Sequence, residues 1–166
     1  MKLKLLAAAA AAVLAVGAHA TTTDWGTHGD LELAAVQVNP GAFDDFFTFS
    51  IPGASNVSST TVANNLMTVL NISAGSTVSL FSGSVGSGTL VGSYTFDGTT
   101  GNSWHTFNAM SSGNYYYEVK GNATGSQGGF YSITSTVAPV PEPETYAMLL
   151  AGLGVVGSLY RRRKNG

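Results

Sequence analysis

The chain has 166 residues, 21 of them glycine, no cysteine, and 10% charged side chains, against roughly 25% in an ordinary globular protein. Six of its seven basic residues lie at the two ends, so residues 21–138 hold Lys120 alone against seven acids, a net charge of −6. That body lacks the basic stripe needed to displace counterions from phosphates, which excludes nucleic-acid binding. The missing cysteines exclude disulfide frameworks and thiolate metal sites.

Residues 1–20 have the three parts of a secretory signal. Lys2 and Lys4 give the positive start, Leu5–Val16 is an apolar run, and Ala18 and Ala20 put small residues where a signal peptidase reads. The segment predicts a signal helix, cleavage after Ala20 and export of the body from Thr21 onward. Export does not require cysteines here, because a body of this length buries enough apolar surface to fold without staples.

Residues 21–138 predict an all-β domain. Thr21–Asp30, with His28, reads as a loose polar start. Strands are expected over Leu31–Val38, Phe46–Ile51, Leu66–Ile72, Val78–Phe81, Leu90–Phe96, Trp104–Met110, Tyr115–Lys120 and Phe130–Val137, from alternating or apolar runs. Pro52-Gly53, Ala74-Gly75, Asp97-Gly98, Ser112-Gly113-Asn114 and the glycine-rich 121–129 punctuate them. Eight short strands at this spacing predict a small antiparallel β-sandwich, jelly-roll-like. The expected inward set is Phe47, Phe49, Ile51, Leu70, Ile72, Leu80, Val91, Phe96, Trp104, Tyr115, Tyr117, Val119, Tyr131 and Ile133. Tyr116 falls on the other face, with Glu118 and Lys120.

Residues 139–166 form a separate segment. Ala138–Glu144 contains three prolines, which lack the amide donor of a sheet ladder, so a stiff extended linker is expected. Pro143 and Glu144 suit the first turn of a helix. Tyr146–Tyr160 is fifteen residues without a charge, about 22 Å as a helix, short of the roughly 30 Å hydrocarbon core. With a tyrosine at each end and snorkelling arginines it predicts a marginal single transmembrane helix. Arg161, Arg162, Arg163 and Lys164 would hold the C-terminal end on the cytoplasmic side.

The order of parts over Val140–Lys164 resembles the PEP-CTERM sorting domain of exopolysaccharide-producing Gram-negative bacteria. Pro141, Glu142 and Pro143 form its tripeptide, Gly152, Gly154 and Gly157 its glycine-rich helix, and 161–164 its basic end. The resemblance implies recognition by an exosortase, a thiol transpeptidase-like enzyme of the inner membrane, which would remove the helix and pass the body to the cell surface or matrix. Within the body, Phe43, Asp45 and Phe47 resemble the F-x-D-x-F pattern of small secreted proteins ending in this signal. Ser112–Tyr116 and Gly128–Ser132 resemble late strands of that group, which brings no catalytic residues.

Catalytic chemistry has little to stand on. His28 and His105 are the only histidines outside the signal, and no Gly-x-Ser-x-Gly elbow accompanies them. Asp44 and Asp45 lack the alternating acidic loop of a calcium site, and are expected to cap a strand entry and keep it soluble. No cofactor motif is present. Trp104, Tyr116 and Tyr131 are the candidates to present flat faces to sugar rings. The sequence therefore predicts an exported, non-enzymatic protein with signal peptidase, exosortase and the membrane as processing partners. Its alternative is a polysaccharide-binding adhesin.

Overall fold

A computed structural model describes residues 20–99, 103–140 and 143–164. The expected signal helix with Ala18, and Pro141 and Glu142 of the tripeptide, lie outside the described residues. Nine strands build the body: β1 Thr22–Thr27, β2 Leu31–Val38, β3 Gly41–Ile51, β4 Ser55–Asn64, β5 Ser76–Ser82, β6 Thr89–Phe96, β7 His105–Met110, β8 Gly113–Ala123 and β9 Gly129–Pro139. They form a five-stranded sheet in the order β1-β3-β8-β5-β6 and a four-stranded sheet in the order β2-β9-β4-β7. Only β5 and β6 are both consecutive and paired; every other connection carries the chain from one sheet to the other.

The expected all-antiparallel arrangement needs one correction. β1 pairs with β3 in parallel, Thr22 opposite Phe46 and Asp24 opposite Thr48, which makes the larger sheet mixed. The expected loose start is thus a strand. The Phe46 amide donates to the Thr21 carbonyl at 2.7 Å and the His28 amide to the Ser50 carbonyl at 2.9 Å, so β3 organises the polar segment from the side.

Alternation decides which residues enter the core. Along β3, Phe43, Asp45, Phe47, Phe49 and Ile51 are buried while the residues between them are half-buried. Tyr117, Val119, Val78 and Leu80 continue that layer, and Val38, Val57, Tyr131 and Ile133 face it from the smaller sheet. The Phe43 and Tyr131 rings stack across the gap with centroids 5.6 Å apart. Burying side chains of this size contributes roughly 1.5–3 kcal/mol each.

Three expected core positions are corrected. Trp104 is 50% exposed and Val91 is 41% exposed, and Leu70 is only half-buried. Leu66–Ile72 is not a strand: Leu66, Met67 and Val69 are exposed, and the Leu66 amide bonds the Leu70 carbonyl in a local turn. Asn65 starts it, its Oδ1 accepting from the Met67 amide at 3.0 Å, an Asx turn that competes with sheet pairing. Trp25, rather than Trp104, is the tryptophan that packs against the core, 5.1 Å from Phe47 between ring centroids.

β9 also runs further than expected. Pro139 pairs opposite Ser55 and the Val140 amide donates to the Ala54 carbonyl at 3.0 Å. A proline at a strand end costs little, because the one amide it lacks is at most a single terminal bond of the ladder. Helix α1 then spans Pro143–Lys164, with Glu144 in its first turn. It therefore takes in the expected apolar helix and basic end as one element.

Candidate functional site

The sorting segment begins where β9 ends. Pro143 opens α1 with a fixed φ and no unsatisfied amide, and Glu144 meets the positive end of the helix dipole. Met148, Leu149, Leu150, Leu153, Val155 and Val156 are all at least 60% exposed; at 3.6 residues per turn they cover more than half of the circumference, and the small Ala147, Ala151 and Gly154 lie on the remainder. Among the described residues no helix is long and apolar enough to cross a membrane, which corrects the expected single transmembrane helix. The uncharged stretch is short, and Gly152, Gly154, Gly157 and Ser158 dilute its apolar character. Arg161, Arg162 and Arg163 are exposed on the last turn, and Lys164 ends the helix.

The other end of the body has its own geometry. Asp45 is fully buried, which corrects the expectation that it keeps a strand entry soluble. Its Oδ1 accepts from the Thr21 amide at 3.0 Å and from the Thr21 hydroxyl at 2.5 Å. Its Oδ2 accepts from the Tyr131 hydroxyl at 2.7 Å. Burial, followed by the hydrogen bond and charge of Asp45, pushes the Tyr131 phenol well above its ordinary value. Asp44, one residue on, points to the outer face and pairs with Lys120 at 3.4 Å. Burial raises the Asp44 carboxyl above the usual range; Lys120 opposes this, while Glu118 and Asp45 add to it.

A second polar cluster lies inside the sandwich. The Tyr117 hydroxyl is 3.0 Å from Ser135 Oγ, and Ser135 Oγ is 2.8 Å from His28 Nε2. His28 Nδ1 lies 2.6 Å from the Gly29 carbonyl; that carbonyl can only accept, so Nδ1 carries a proton. The Ser–His contact was not foreseen, because Ser135 lies 107 positions away on β9. Its serine is fully buried and its imidazole faces a carbonyl rather than a carboxylate, so the pair orders the core. Tyr94 is anchored likewise, its hydroxyl 3.0 Å from both Ser59 Oγ and Thr61 Oγ1, while its ring stacks on His105 at 4.0 Å.

An open groove of about 440 Å³ lies on the larger sheet beside β1. Asp24, Thr48, Ser50, Ser84 and Asn114 line it with polar groups, and Gly83 and Val85 belong to the β5–β6 hairpin that walls it. The Gly26 amide at 3.0 Å and the Thr48 hydroxyl at 2.9 Å donate to Asp24 Oδ1. These two bonds, the Gly26 amide first, hold the Asp24 carboxyl below its usual range. A fixed carboxylate beside hydroxyls and an amide can exchange hydrogen bonds with a ligand rich in hydroxyls.

The three aromatic candidates do not converge. Tyr131 is buried in the core, since its hydroxyl is held by Asp45. Tyr116 does lie on the outer face of its sheet, but it is only 4% exposed. Phe81 stacks on it at 5.0 Å, and Gly88 packs so close that an added Cβ would sit 2.7 Å from the ring. Trp104 alone is accessible, two residues before Thr106 at the edge of the smaller sheet. Among the described residues no group of three His, Asp or Glu could hold a metal ion.

Comparison with known proteins places the tail. Residues 139–164 match the PEP-CTERM protein-sorting motif. That motif implies export, a C-terminal membrane anchor before processing, and processing by an exosortase. No curated protein matches the chain. In fold the chain is similar to PliG of Aeromonas hydrophila, a periplasmic lysozyme inhibitor of g-type lysozyme, at 11% identity, a TM-score of 0.45, and coverage of 72% of this chain and 99% of that one. It is also similar to the Yersinia pseudotuberculosis-derived mitogen, at 13% identity, a TM-score of 0.45, and coverage of 70% and 92%. A third is the pre-peptidase C-terminal domain of a Bacillus anthracis collagenase, at 16% identity, a TM-score of 0.41, and coverage of 72% and 97%.

Proposed function

From the PEP-CTERM motif that this chain carries, we propose that it is an exported, non-enzymatic cargo of exosortase sorting that acts at the cell surface or in the extracellular matrix. The sorting motif at 139–164 carries the proposal. Signal peptidase cuts after Ala20, leaving Thr21 first. Helix α1, exposed and largely apolar, enters the inner membrane from the periplasmic side and holds the body there, with Arg161–Arg163 reaching lipid phosphates on that same side. Exosortase then reads Pro141, Glu142 and Pro143 and removes the helix. The Phe43-x-Asp45-x-Phe47 pattern makes this the F-x-D-x-F type: all three side chains are buried on one face of β3.

The test is replacement of Pro141, Glu142 and Pro143 by alanine. The helix-bearing form should accumulate in the inner membrane; release at the wild-type rate would refute recognition at this tripeptide.

One observation favours a second reading, a role in binding neutral polysaccharide. The Asp24 groove offers oriented polar groups on a body of net charge −6, which repels anionic chains and tolerates uncharged ones. Asp24→Ala should lower retention on matrix exopolysaccharide several-fold, with Trp104→Ala as the comparison at the exposed aromatic. Unchanged retention in both variants removes this reading.

A further inference from the structure

Asp45 presents a physical problem in the uncleaved chain. It is fully buried between the sheets, where an uncompensated carboxylate is strongly destabilising. Its partners there are an amide and two hydroxyls. The body has one basic residue, Lys120, and that residue pairs with Asp44 and Glu118 on the outer face. The nitrogen 3.0 Å from Asp45 Oδ1 belongs to Thr21, the residue that signal cleavage would make the first of the mature chain.

We propose that cleavage after Ala20 completes the fold: it turns the Thr21 amide into an α-ammonium that Asp45 receives as a buried ion pair. Hydrolysis of the Ala20–Thr21 peptide bond takes up one water. It leaves a carboxylate on Ala20 and an amine on Thr21, and the amine binds a proton. The site is already built around that nitrogen. The Thr21 carbonyl accepts from the Phe46 amide at 2.7 Å, and the Thr21 hydroxyl shares Asp45 Oδ1. On the far side the Tyr131 hydroxyl holds Oδ2, which orients the carboxylate. The titratable groups around the nitrogen are Asp45 from β3 and, across the carboxylate, Tyr131 from β9. Asp44 and its Lys120 partner lie on the opposite face of the same sheet.

The ammonium thus pins β1, the parallel edge strand that carries Asp24 into the groove. The buried aspartate of the F-x-D-x-F pattern acquires a physical role as the acceptor of the chain's own new terminus. Full stability arrives only after the signal has left. This inference rests on the cleavage reading above, and the experiment separates the two.

The full chain is exported with its own signal, in wild-type form, with Ser-Gly inserted after Ala20, with Asp45→Asn, and with both changes. Intact mass and N-terminal sequencing of the mature products test the cleavage reading: a first residue other than Thr21 in the wild type overturns it and this inference with it. Given Thr21, the pH dependence of α-amine acylation tests the ion pair. The amine should titrate at least about one unit above the ordinary 7.7–8.0 of a free terminus. Stability should then be full below pH 8 and fall as pH rises through the raised value. The insertion should lower the folding constant about tenfold or more in the wild type and leave Asp45→Asn nearly unchanged. A Thr21 amine that titrates at the ordinary value, or an insertion cost that does not depend on Asp45, overturns the proposal. The wild-type titration requires no variant, so it decides the matter even if Asp45→Asn does not fold.

Discussion

Ser135→Ala tests the hydroxyl relay in the core. Ser135 is fully buried, Tyr117 is fully buried and His28 is 6% exposed, so water cannot replace the lost hydroxyl without opening the sandwich. The substitution removes the acceptor of the Tyr117 hydroxyl and the donor to His28 Nε2. Each buried group left without a partner costs about 1–3 kcal/mol. Ser59 also lies against the Tyr117 hydroxyl and relieves part of that loss, so the expected total is about 2–4 kcal/mol. For a body of this size that lowers Tm by about 8–16 °C. Thermal melts followed by circular dichroism on wild type, Ser135→Ala, Tyr117→Phe and the double variant give the full cycle. Once the tyrosine hydroxyl is gone the serine has one partner fewer, so the double variant should be at least about 1 kcal/mol more stable than the sum of the singles predicts. Additivity within about 0.5 kcal/mol, or a Ser135→Ala shift of only a degree or two, would refute the relay.

Gly128 has φ +88° and an added Cβ would lie 1.9 Å from the Val38 carbonyl oxygen. Gly128→Ala should therefore cost about 3 kcal/mol or more in urea unfolding, whereas Gly53→Ala, which has open space around it, should stay within about 0.5 kcal/mol. Asp44→Asn should raise Tm modestly at pH 7, because burial holds the Asp44 carboxyl above its usual range and one of its oxygens is buried without a partner. A carboxyl raised on folding makes the wild type lose stability as pH rises above about 4. The variant should lack that component, and an identical pH–stability curve would contradict this reading.

The sandwich was legible where side chains announce it. Phe47-Thr48-Phe49-Ser50-Ile51 alternates apolar with polar, and the structure buries the apolar members. The split of Tyr115 and Tyr117 inside from Tyr116 outside also follows from alternation with Glu118 and Lys120, as the register with β3 bears out. β4 was illegible for a physical reason. Its inward positions include Ser55, Ser59 and Thr61, and hydroxyls alternating with hydroxyls leave no hydrophobic period. Those serines and threonines are buried because Tyr94 reaches across to bond two of them, a partnership no local pattern encodes.

β1 was illegible for a similar reason, since its parallel pairing depends on β3, more than twenty residues away. Leu66–Ile72 misled in the opposite direction, because apolar content outweighed the Asx turn at Asn65. At the candidate site, the sorting tail declared itself through the order of its parts. The burial of Asp45 did not, because only Thr21 and Tyr131, brought in by folding, show why a carboxylate belongs between Phe43 and Phe47.

The most direct test of the account is the intact mass of the product that the native host delivers to its surface or matrix. The expected product starts at Thr21 and lacks α1. A delivered product that still carries α1, or still carries Met1–Ala20, would contradict it.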